Sequence, residues 1–313
     1  MTIVLNAATR KFSDRRQTLD GSQRARVPFT HLDTLWFNTG TLCNLTCVNC
    51  YIESSPTNDA LVYLTKAEVS RYLDEAALML PRPREIGFTG GEPFMNPDMI
   101  AMAEDALARG FRVLILTNAM KPMHHVKPKL LKLHGRYGAQ LSLRVSLDGY
   151  DATAHEALRG PRSWQPAIDG LRWLNDHGFS IAVAGRAVNG GDERATRDGF
   201  AALFTSLGLS LDAHEPSHLV LFPEMDVTRD VPEITTACWG ILKKSPVSVM
   251  CATSRMVVKA KGRDHPHVVS CTLLPHAPDF NMGETLGEAV QDVALNHQFC
   301  AQFCVLGGAS CSV

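Results

Sequence analysis

Three cysteines close together in the sequence are the residues best suited to chemistry in this chain. Cys43, Cys47 and Cys50 are separated by three and by two residues. Soft thiolates grouped in this way suit an iron–sulfur cluster or zinc better than calcium or magnesium. A structural zinc takes four protein ligands, whereas a cluster of four irons takes one ligand per iron. Three thiolates therefore leave one iron open for a substrate or cofactor, and a zinc site would need a distant fourth ligand.

A glycine-rich motif, TGGEP at residues 89–93, follows the cysteines after about 40 residues. In this order, C-x3-C-x2-C and the glycine motif resemble the radical S-adenosylmethionine (SAM) superfamily. The resemblance implies that a 4Fe–4S cluster on Cys43, Cys47 and Cys50 chelates SAM through its open iron. One electron from the cluster then cleaves SAM to a 5′-deoxyadenosyl radical, which takes a hydrogen atom from the substrate. A reducing partner such as flavodoxin or ferredoxin is also implied.

Several further residues match positions that bind SAM in this superfamily. The backbone of Gly90 and Gly91 corresponds to a turn that contacts the SAM amino group. Arg159 would pair with the SAM carboxylate or a substrate anion, or else form a surface salt bridge. The family often has an aromatic residue before the third cysteine, where this chain has Asn49 followed by Tyr51. The resemblance implies this cofactor-binding set: Tyr51, Gly90, Gly91, Glu92, Asn118, Ser146, Asp148 and Arg159.

The elements that must position these residues are six predicted strands, which alternate with helices between about residue 35 and about residue 240. This order predicts an α/β fold with a parallel sheet and right-handed crossovers. The resemblance implies a partial (β/α)6 TIM-like barrel with a small C-terminal β-hairpin-plus-helix iron–sulfur domain. The predicted strands cover residues 35–39, 85–89, 112–117, 141–148, 181–189 and 218–222, and the helices include 126–134, 164–177 and 194–207.

The strand at 141–148 alternates most clearly between apolar and polar residues. Successive side chains of a strand point to opposite faces, so its leucines and valine would pack on helices outside the barrel. Its polar residues, which include Ser146 and Asp148, would face the inside. An edge strand with a solvated face is the alternative.

A second group of cysteines lies in the C-terminal part of the chain. A predicted β-hairpin lies between Cys251 and Cys271, and a predicted helix at 286–298 leads to Cys300, Cys304 and Cys311. This arrangement resembles the twitch or SPASM domains of radical SAM enzymes, which hold auxiliary 4Fe–4S clusters. Five thiols compete for four positions, so the resemblance implies one auxiliary cluster that includes Cys251 and Cys271. A single zinc is the alternative.

These patterns divide the chain into an N-terminal extension at 1–32, a radical SAM barrel at 33–244 and an auxiliary-cluster domain at 245–313. The extension is basic, with Arg10, Lys11, Arg15, Arg16, Arg24 and Arg26, and is predicted to wrap the body as a solvated segment. Nine cysteines without a signal peptide favour metal ligands in a reducing compartment, the cytoplasm, over disulfides. A net charge of −1 gives no indication of nucleic-acid binding, and no apolar run approaches the roughly 20 residues that span a membrane.

The sequence thus favours an enzyme that oxidatively modifies a small molecule, by dehydrogenation or bond formation. The auxiliary cluster would accept an electron or bind the substrate. A maturase of a ribosomally made peptide is the alternative. We expect it less because only about 30 residues precede the first strand, too few for a separate peptide-recognition domain. A non-catalytic iron–sulfur carrier or scaffold is the alternative of another class, although it would not need the glycine turn or the polar inner face.

Overall fold

A computed structural model of the chain describes residues 10–187, 192–226 and 228–310. Its strands are β1 (Arg26–Val27), β2 (Thr34–Asn38), β3 (Glu85–Thr89), β4 (Arg112–Thr117), β5 (Leu141–Ser146), β6 (Ser180–Ala187), β7 (Leu219–Pro223), β8 (Ser254–Val258), β9 (His267–Val269) and β10 (Val293–Ala294). Eight of them form one sheet in the order β7-β6-β5-β4-β3-β2-β8-β9. The six strands from β2 to β7 are parallel to their neighbours, as the predicted alternation requires. The α/β partial-barrel prediction is confirmed.

Helices connect the parallel strands. They are α1 (Lys66–Leu78), α2 (Met99–Ala108), α3 (Lys121–Tyr137), α4 (Ala152–Arg159), α5 (Trp164–Asp176), α6 (Glu193–Leu207) and α7 (Cys238–Leu242). The start of α1 shows why the chain becomes helical there: the Thr65 side chain accepts from the Glu68 amide, and the Glu68 carboxylate accepts from the Thr65 amide. This reciprocal cap satisfies two amides that the first turn would otherwise leave without partners.

The main core lies between the sheet and its helices. The Phe37 ring stacks on Phe88 with centroids 5.6 Å apart and meets the Tyr72 ring of α1 edge-on at 6.4 Å. Trp36, on the opposite face of β2, is fully buried beside Gly87. A Cβ at Gly87 would lie 2.3 Å from the Trp36 ring, so glycine makes the space that the indole fills.

The C-terminal hairpin is confirmed, but it extends the barrel sheet. β8 runs parallel to β2, and β9 pairs antiparallel with β8. The predicted helix at 286–298 is wrong. Val293 and Ala294 instead pair with β1, and the Leu295 amide donates to Ala25 O at 3.0 Å. Tertiary pairing overrides the local helical pattern here, and a π-helix at Cys300–Leu306 follows.

The described part of the N-terminal extension does wrap the body, through β1 and through contacts near residue 234. One feature differs from the prediction of a solvated segment. The Arg24 side chain is buried and lies 2.6 Å from the Glu233 carboxylate, which is also buried. The pairing explains the burial, because a guanidinium leaves water only when a carboxylate or carbonyls replace its solvent.

Two helices also differ from the predictions. α4 was not predicted, although the Asp151 side chain caps it by accepting from the Ala154 amide at 2.8 Å. α3 is longer than the predicted helix at 126–134, because it already begins at Lys121, with a proline in its first turn, and continues to Tyr137. The predicted strand at 181–189 ends outside the described residues. No helix among the described residues is long and apolar enough to span a bilayer.

Candidate functional site

A cavity of about 140 Å³ lies where the carboxyl ends of the barrel strands meet. Cys43, Cys47 and Cys50 line it together with every predicted cofactor-binding residue except Glu92. The structure therefore brings together Tyr51, Gly90, Gly91, Asn118, Ser146, Asp148 and Arg159 around the three thiols. Ligand sites of parallel α/β folds lie at this end of the strands.

The glycine turn packs directly against the backbone that leads into the cysteine loop. The Gly91 amide donates to Gly40 O at 2.8 Å, and the Glu92 amide donates to Leu42 O at 3.1 Å. A Cβ at Gly91 would lie 2.2 Å from Leu42 O, and Gly90 has φ +137°. Only glycine fits both positions, so the two motifs that are distant in sequence hold one another in place.

Glu92 lies beneath the cavity rather than in its lining. Its carboxylate accepts hydrogen bonds from Thr117 Oγ1 and the Asn118 amide, both at 2.8 Å, and from the Phe94 amide at 3.2 Å. Burial raises the pKa of Glu92 to about 7 despite these bonds. The geometry gives Glu92 a positioning role, since it fixes the end of β4 where Asn118 begins. The prediction that Glu92 contacts the cofactor directly is not favoured by this placement.

Two arginines share one buried carboxylate at the cavity wall. Asp148 Oδ2 lies 2.8 Å from Arg159 Nε and 3.2 Å from Arg186 Nε. Arg186 also donates to Val48 O in the cysteine loop at 2.7 Å, and the Val48 amide donates to Leu158 O of α4. The wall carries two guanidiniums against one carboxylate, a surplus of positive charge that suits an anionic group.

Two thiols of the cysteine loop, Cys43 and Cys47, lie in surroundings that favour their protonated form without a metal. Burial raises the pKa of Cys43 to about 12. Burial also raises the pKa of Cys47, with Arg159 opposing the shift. A metal that binds a thiol takes the place of its proton. The donor set of three thiols with a neighbouring glycine cradle fits a cluster that has one open iron.

A second, smaller cavity of about 10 Å³ contains the other cysteine group. Cys251, Cys271, Cys300 and Cys304 all line it, and the rest of its lining is apolar except for Ser270. Burial raises the pKa of Cys251 to about 12 and that of Cys300 well above its usual range. Four thiols around one water-poor cavity fit a fully ligated cluster. The fifth predicted thiol, Cys311, lies outside the described residues.

The two cavities share a wall. Cys300 and Cys304 line the second cavity, while Phe303, in the same π-helix, lines the first. Phe303 packs on Phe222 of β7 with ring centroids 5.4 Å apart. His276 Nε2 lies within hydrogen-bond distance of Ile52 O, at 3.0 Å, in the segment after Cys50. The second thiol group thus adjoins the first cavity at the π-helix.

Arg186 lies within β6, and the predicted strand at 181–189 places its side chain toward the inside of the barrel, where it lines the first cavity. Other residues of these sites were missed from the sequence. Phe222, Met225 and Phe303 line the first cavity without any sequence pattern that marks them. Among the described residues, no group of three or more His, Cys, Asp or Glu side chains is spaced to hold a single metal ion.

Comparison with known proteins identifies the family. The Radical SAM superfamily matches residues 37–196, half of the chain, so the chain belongs to this superfamily. Its members bind a 4Fe–4S cluster and SAM, and its SPASM-type members carry auxiliary clusters. The predicted cofactors are thereby confirmed at the level of the family, while the residues that hold them remain predictions.

Individual relatives are more distant. The chain is 28% identical over 145 residues to the "antilisterial bacteriocin subtilosin biosynthesis protein AlbA" of Bacillus subtilis, covering 45% of this chain and 30% of AlbA. It is 31% identical over 142 residues to the "AdoMet-dependent heme synthase" of Methanosarcina barkeri, covering 45% of this chain and 38% of that protein. The match thus spans about a third of each curated relative. Streptococcus suis SuiB bound to its precursor peptide SuiA has the same fold, with a TM-score of 0.60 at 12% identity over 88% of this chain and 70% of SuiB.

Proposed function

We propose that this chain is a radical SAM oxidoreductase with two iron–sulfur clusters. Cys43, Cys47 and Cys50 hold the cluster that chelates SAM, and Cys251, Cys271, Cys300 and Cys304 hold the auxiliary cluster. The observation that carries the proposal is the pair of adjoining cavities. One, of about 140 Å³, contains three thiols beside charged side chains, and the other, of about 10 Å³, contains four thiols in an almost wholly apolar lining. In domain terms, residues 33–244 form the barrel, 245–313 the auxiliary-cluster domain and 1–32 the extension.

When bound, the SAM cluster and SAM supply a radical that removes a hydrogen atom from the substrate, and the auxiliary cluster takes the electron that remains. The protein's part is to position and enclose the reactants. The Gly90-Gly91 turn leaves backbone accessible beside the cysteine loop. Arg159 presents a fixed positive charge to the carboxylate of SAM or to a substrate anion. Its guanidinium is held in place by Asp148, at 2.8 Å. Phe222 and Phe303, whose rings are in contact, supply an apolar part of the cavity lining.

The surroundings of the second thiol group favour an electron acceptor over a substrate ligand. Cys251, Cys271 and Cys300 are each less than one-tenth exposed. With four thiols available, every iron of the cluster has a protein ligand, so no iron is left for a substrate. The auxiliary cluster would lie beside the first cavity, and Phe303 would separate the two. Electron transfer across that wall would make the overall reaction an oxidation.

For the substrate we propose a small molecule, with a peptide as the second candidate. The small-molecule proposal rests on the size of the first cavity, about 140 Å³, whose lining includes Asp148, Arg159, Phe222 and Phe303. The peptide candidate is favoured by the relatives, because AlbA is named for bacteriocin biosynthesis and SuiB binds a precursor peptide. We expect flavodoxin or ferredoxin to supply the reducing electron, in the cytoplasm.

The experiment is anaerobic iron and sulfide analysis with EPR spectroscopy, on the wild type and on a Cys43/Cys47/Cys50→Ala triple variant. We expect about eight irons in the wild type and about four in the variant. Addition of SAM should change the EPR signal of the wild type alone, and reduction should release 5′-deoxyadenosine from the wild type alone.

Other outcomes separate the alternatives. Iron without any release of 5′-deoxyadenosine would indicate a carrier or scaffold, and zinc after anaerobic reconstitution would contradict the radical chemistry. Co-expression with any short reading frame that lies beside the gene and encodes a candidate precursor peptide distinguishes a peptide substrate from a small molecule. A peptide that loses two hydrogen atoms by mass would establish the maturase, and an unchanged peptide would leave the small molecule.

A further inference from the structure

Arg255 of β8 is a buried cation whose guanidinium is bonded to the backbone of the second cysteine site. Its side chain is 1% exposed. Its guanidinium donates to Ala289 O at 2.9 Å, Cys251 O at 2.6 Å, Ser254 O at 2.7 Å and Gln291 O at 2.8 Å. These four carbonyls fix the group in place but supply no negative charge.

A second buried arginine shows what is unusual about Arg255. Arg24 is equally buried, and its guanidinium lies 2.6 Å from the Glu233 carboxylate. Within residues 10–187, 192–226 and 228–310, Arg255 has no carboxylate at salt-bridge distance, and its cationic face lies over the Phe29 ring at 4.5 Å. A buried charge without a counter-charge costs several kcal/mol in general.

The anion that would balance Arg255 is absent from the bare chain but is supplied by a thiolate-bound cluster. Cys251 lies four residues before Arg255 in the sequence, and the Arg255 guanidinium donates to its carbonyl oxygen at 2.6 Å. Thiolates at Cys251 and Cys271 would favour the charged guanidinium, each more than Asp292 does. Four thiolates make a 4Fe–4S cluster anionic, and reduction adds one more negative charge.

We propose that Arg255 is the counter-charge of the auxiliary cluster and that its guanidinium raises the reduction potential of that cluster. The proposal rests on the proposed function, which places this cluster on Cys251, Cys271, Cys300 and Cys304. A fixed positive charge stabilises the reduced cluster more than the oxidised one, because the reduced cluster is more negative. Low solvent exposure strengthens the effect, since little water screens it. Arg255 thus tunes the cluster to accept the electron that the substrate gives up.

The test uses the Cys43/Cys47/Cys50→Ala variant, in which the auxiliary cluster can be studied alone. In that background, Arg255→Gln removes the charge and Arg255→Lys keeps it, while both lose most of the four hydrogen bonds. Anaerobic redox titration followed by EPR gives the midpoint potential. We expect the Gln variant to shift the reduction equilibrium roughly tenfold toward the oxidised cluster, about 59 mV for one electron. The Lys variant should shift it much less. Equal shifts in both variants would show that the hydrogen bonds, not the charge, matter, and would overturn the proposal.

Iron content makes the test decisive if a variant loads poorly. A loaded Lys variant with an empty Gln variant supports the counter-charge, whereas both variants empty, or both loaded at the parent potential, overturns it. A parent variant without iron would instead contradict the proposed auxiliary site itself, so the two failures are distinguishable. Arg24→Gln is the matched control. It removes a buried arginine that already has a carboxylate partner, so it should lower stability and leave the potential unchanged.

Discussion

The two cysteine sites of this chain differ in what surrounds their thiols. The site of Cys43, Cys47 and Cys50 opens on a cavity that contains a glycine turn and charged groups. The site of Cys251 and its three partners, here called the closed site, has a cavity of only about 10 Å³ with an almost wholly apolar lining. Arg255 is the buried cation beside it. The first is built to admit ligands and the second to exclude them.

This difference teaches how one chain can separate two tasks that both require iron and sulfur. The reduction potential of a cluster depends on charge, hydrogen bonding and solvent exposure. Access for a cofactor, in contrast, requires an iron without a protein ligand and room beside it. The chain supplies access at the strand ends and a shielded environment at the hairpin, with Phe303 in the wall between them.

The largest effect that separates the sites should come from removing one thiol of the closed group. Cys300→Ala should lose about four of about eight irons, because a cluster iron loses its ligand in a cavity that offers no water to replace it. The SAM-dependent EPR signal should persist. Cys238→Ala is the matched control, since its sulfur lies near Thr235 and lines neither cavity. If both variants kept all their iron, the assignment of the closed site would be wrong.

A single added methyl group should remove the cluster of the open site, the site of Cys43, Cys47 and Cys50. Gly91→Ala would place a Cβ 2.2 Å from Leu42 O, so the backbone next to Cys43 must move. We expect loss of about four irons and of the SAM-dependent signal, with the auxiliary cluster retained. Gly135→Ala in α3, where a Cβ meets nothing within 4 Å, should keep both clusters and gain roughly 0.5–1 kcal/mol of stability. An unchanged iron content in Gly91→Ala would contradict the role given to the turn.

A charge at the open site should have a smaller, graded effect. Arg159→Gln removes one of two guanidiniums that pair with Asp148. The variant lacks the charge that would pair with the SAM carboxylate, a loss of about 3 kcal/mol in binding free energy, so we expect SAM to bind roughly 100-fold more weakly. Equilibrium dialysis of SAM against the loaded protein measures this. Iron content should stay at the wild-type value, and Arg136→Gln, at an exposed pair with Glu104, is the control. Unchanged SAM affinity would mean that the Arg159–Asp148 pair is structural only.

Local patterns in the sequence were enough to predict the barrel and both cysteine groups. The strand alternation of 141–148 places Ser146 and Asp148 in the cavity because side-chain direction follows from strand period alone. The hairpin between Cys251 and Cys271 also follows from local signals. The family resemblance, confirmed by the match over residues 37–196, implied the iron and SAM.

What the sequence did not reveal depends on contacts between distant segments. Residues 286–298 have a helical pattern, but β1 captures Val293 and Ala294 as a strand. The choice among the C-terminal thiols requires knowing that residue 251 and residue 304 face one cavity. Arg255 reads as an ordinary surface arginine until carbonyls from residues 289 and 291 enclose it. Glu92 belongs to the glycine motif at 89–93, but it is buried and accepts three hydrogen bonds, which give it the role of positioning Asn118.

The smallest expected effect concerns that buried carboxylate, a feature of the open side of the molecule. Burial raises the pKa of Glu92 from 4.5 to about 7, so the folded state binds this proton more tightly than the unfolded state. Its contribution to stability is therefore present at low pH and is lost as pH rises from about 4.5 through about 7. Between about pH 5.5 and about pH 7.5 the loss is about 2 kcal/mol.

Glu92→Gln cannot ionise and should lack this loss. The difference in melting temperature between wild type and variant, measured anaerobically at both pH values, should therefore shift by several degrees in favour of the variant at the higher pH. Glu104→Gln, at an exposed carboxylate, should follow the wild type at both. A constant difference for Glu92→Gln would show that this carboxylate does not hold its proton near neutral pH. Glu92 would then place a negative charge beneath the open site, whereas the lining of the closed site is apolar.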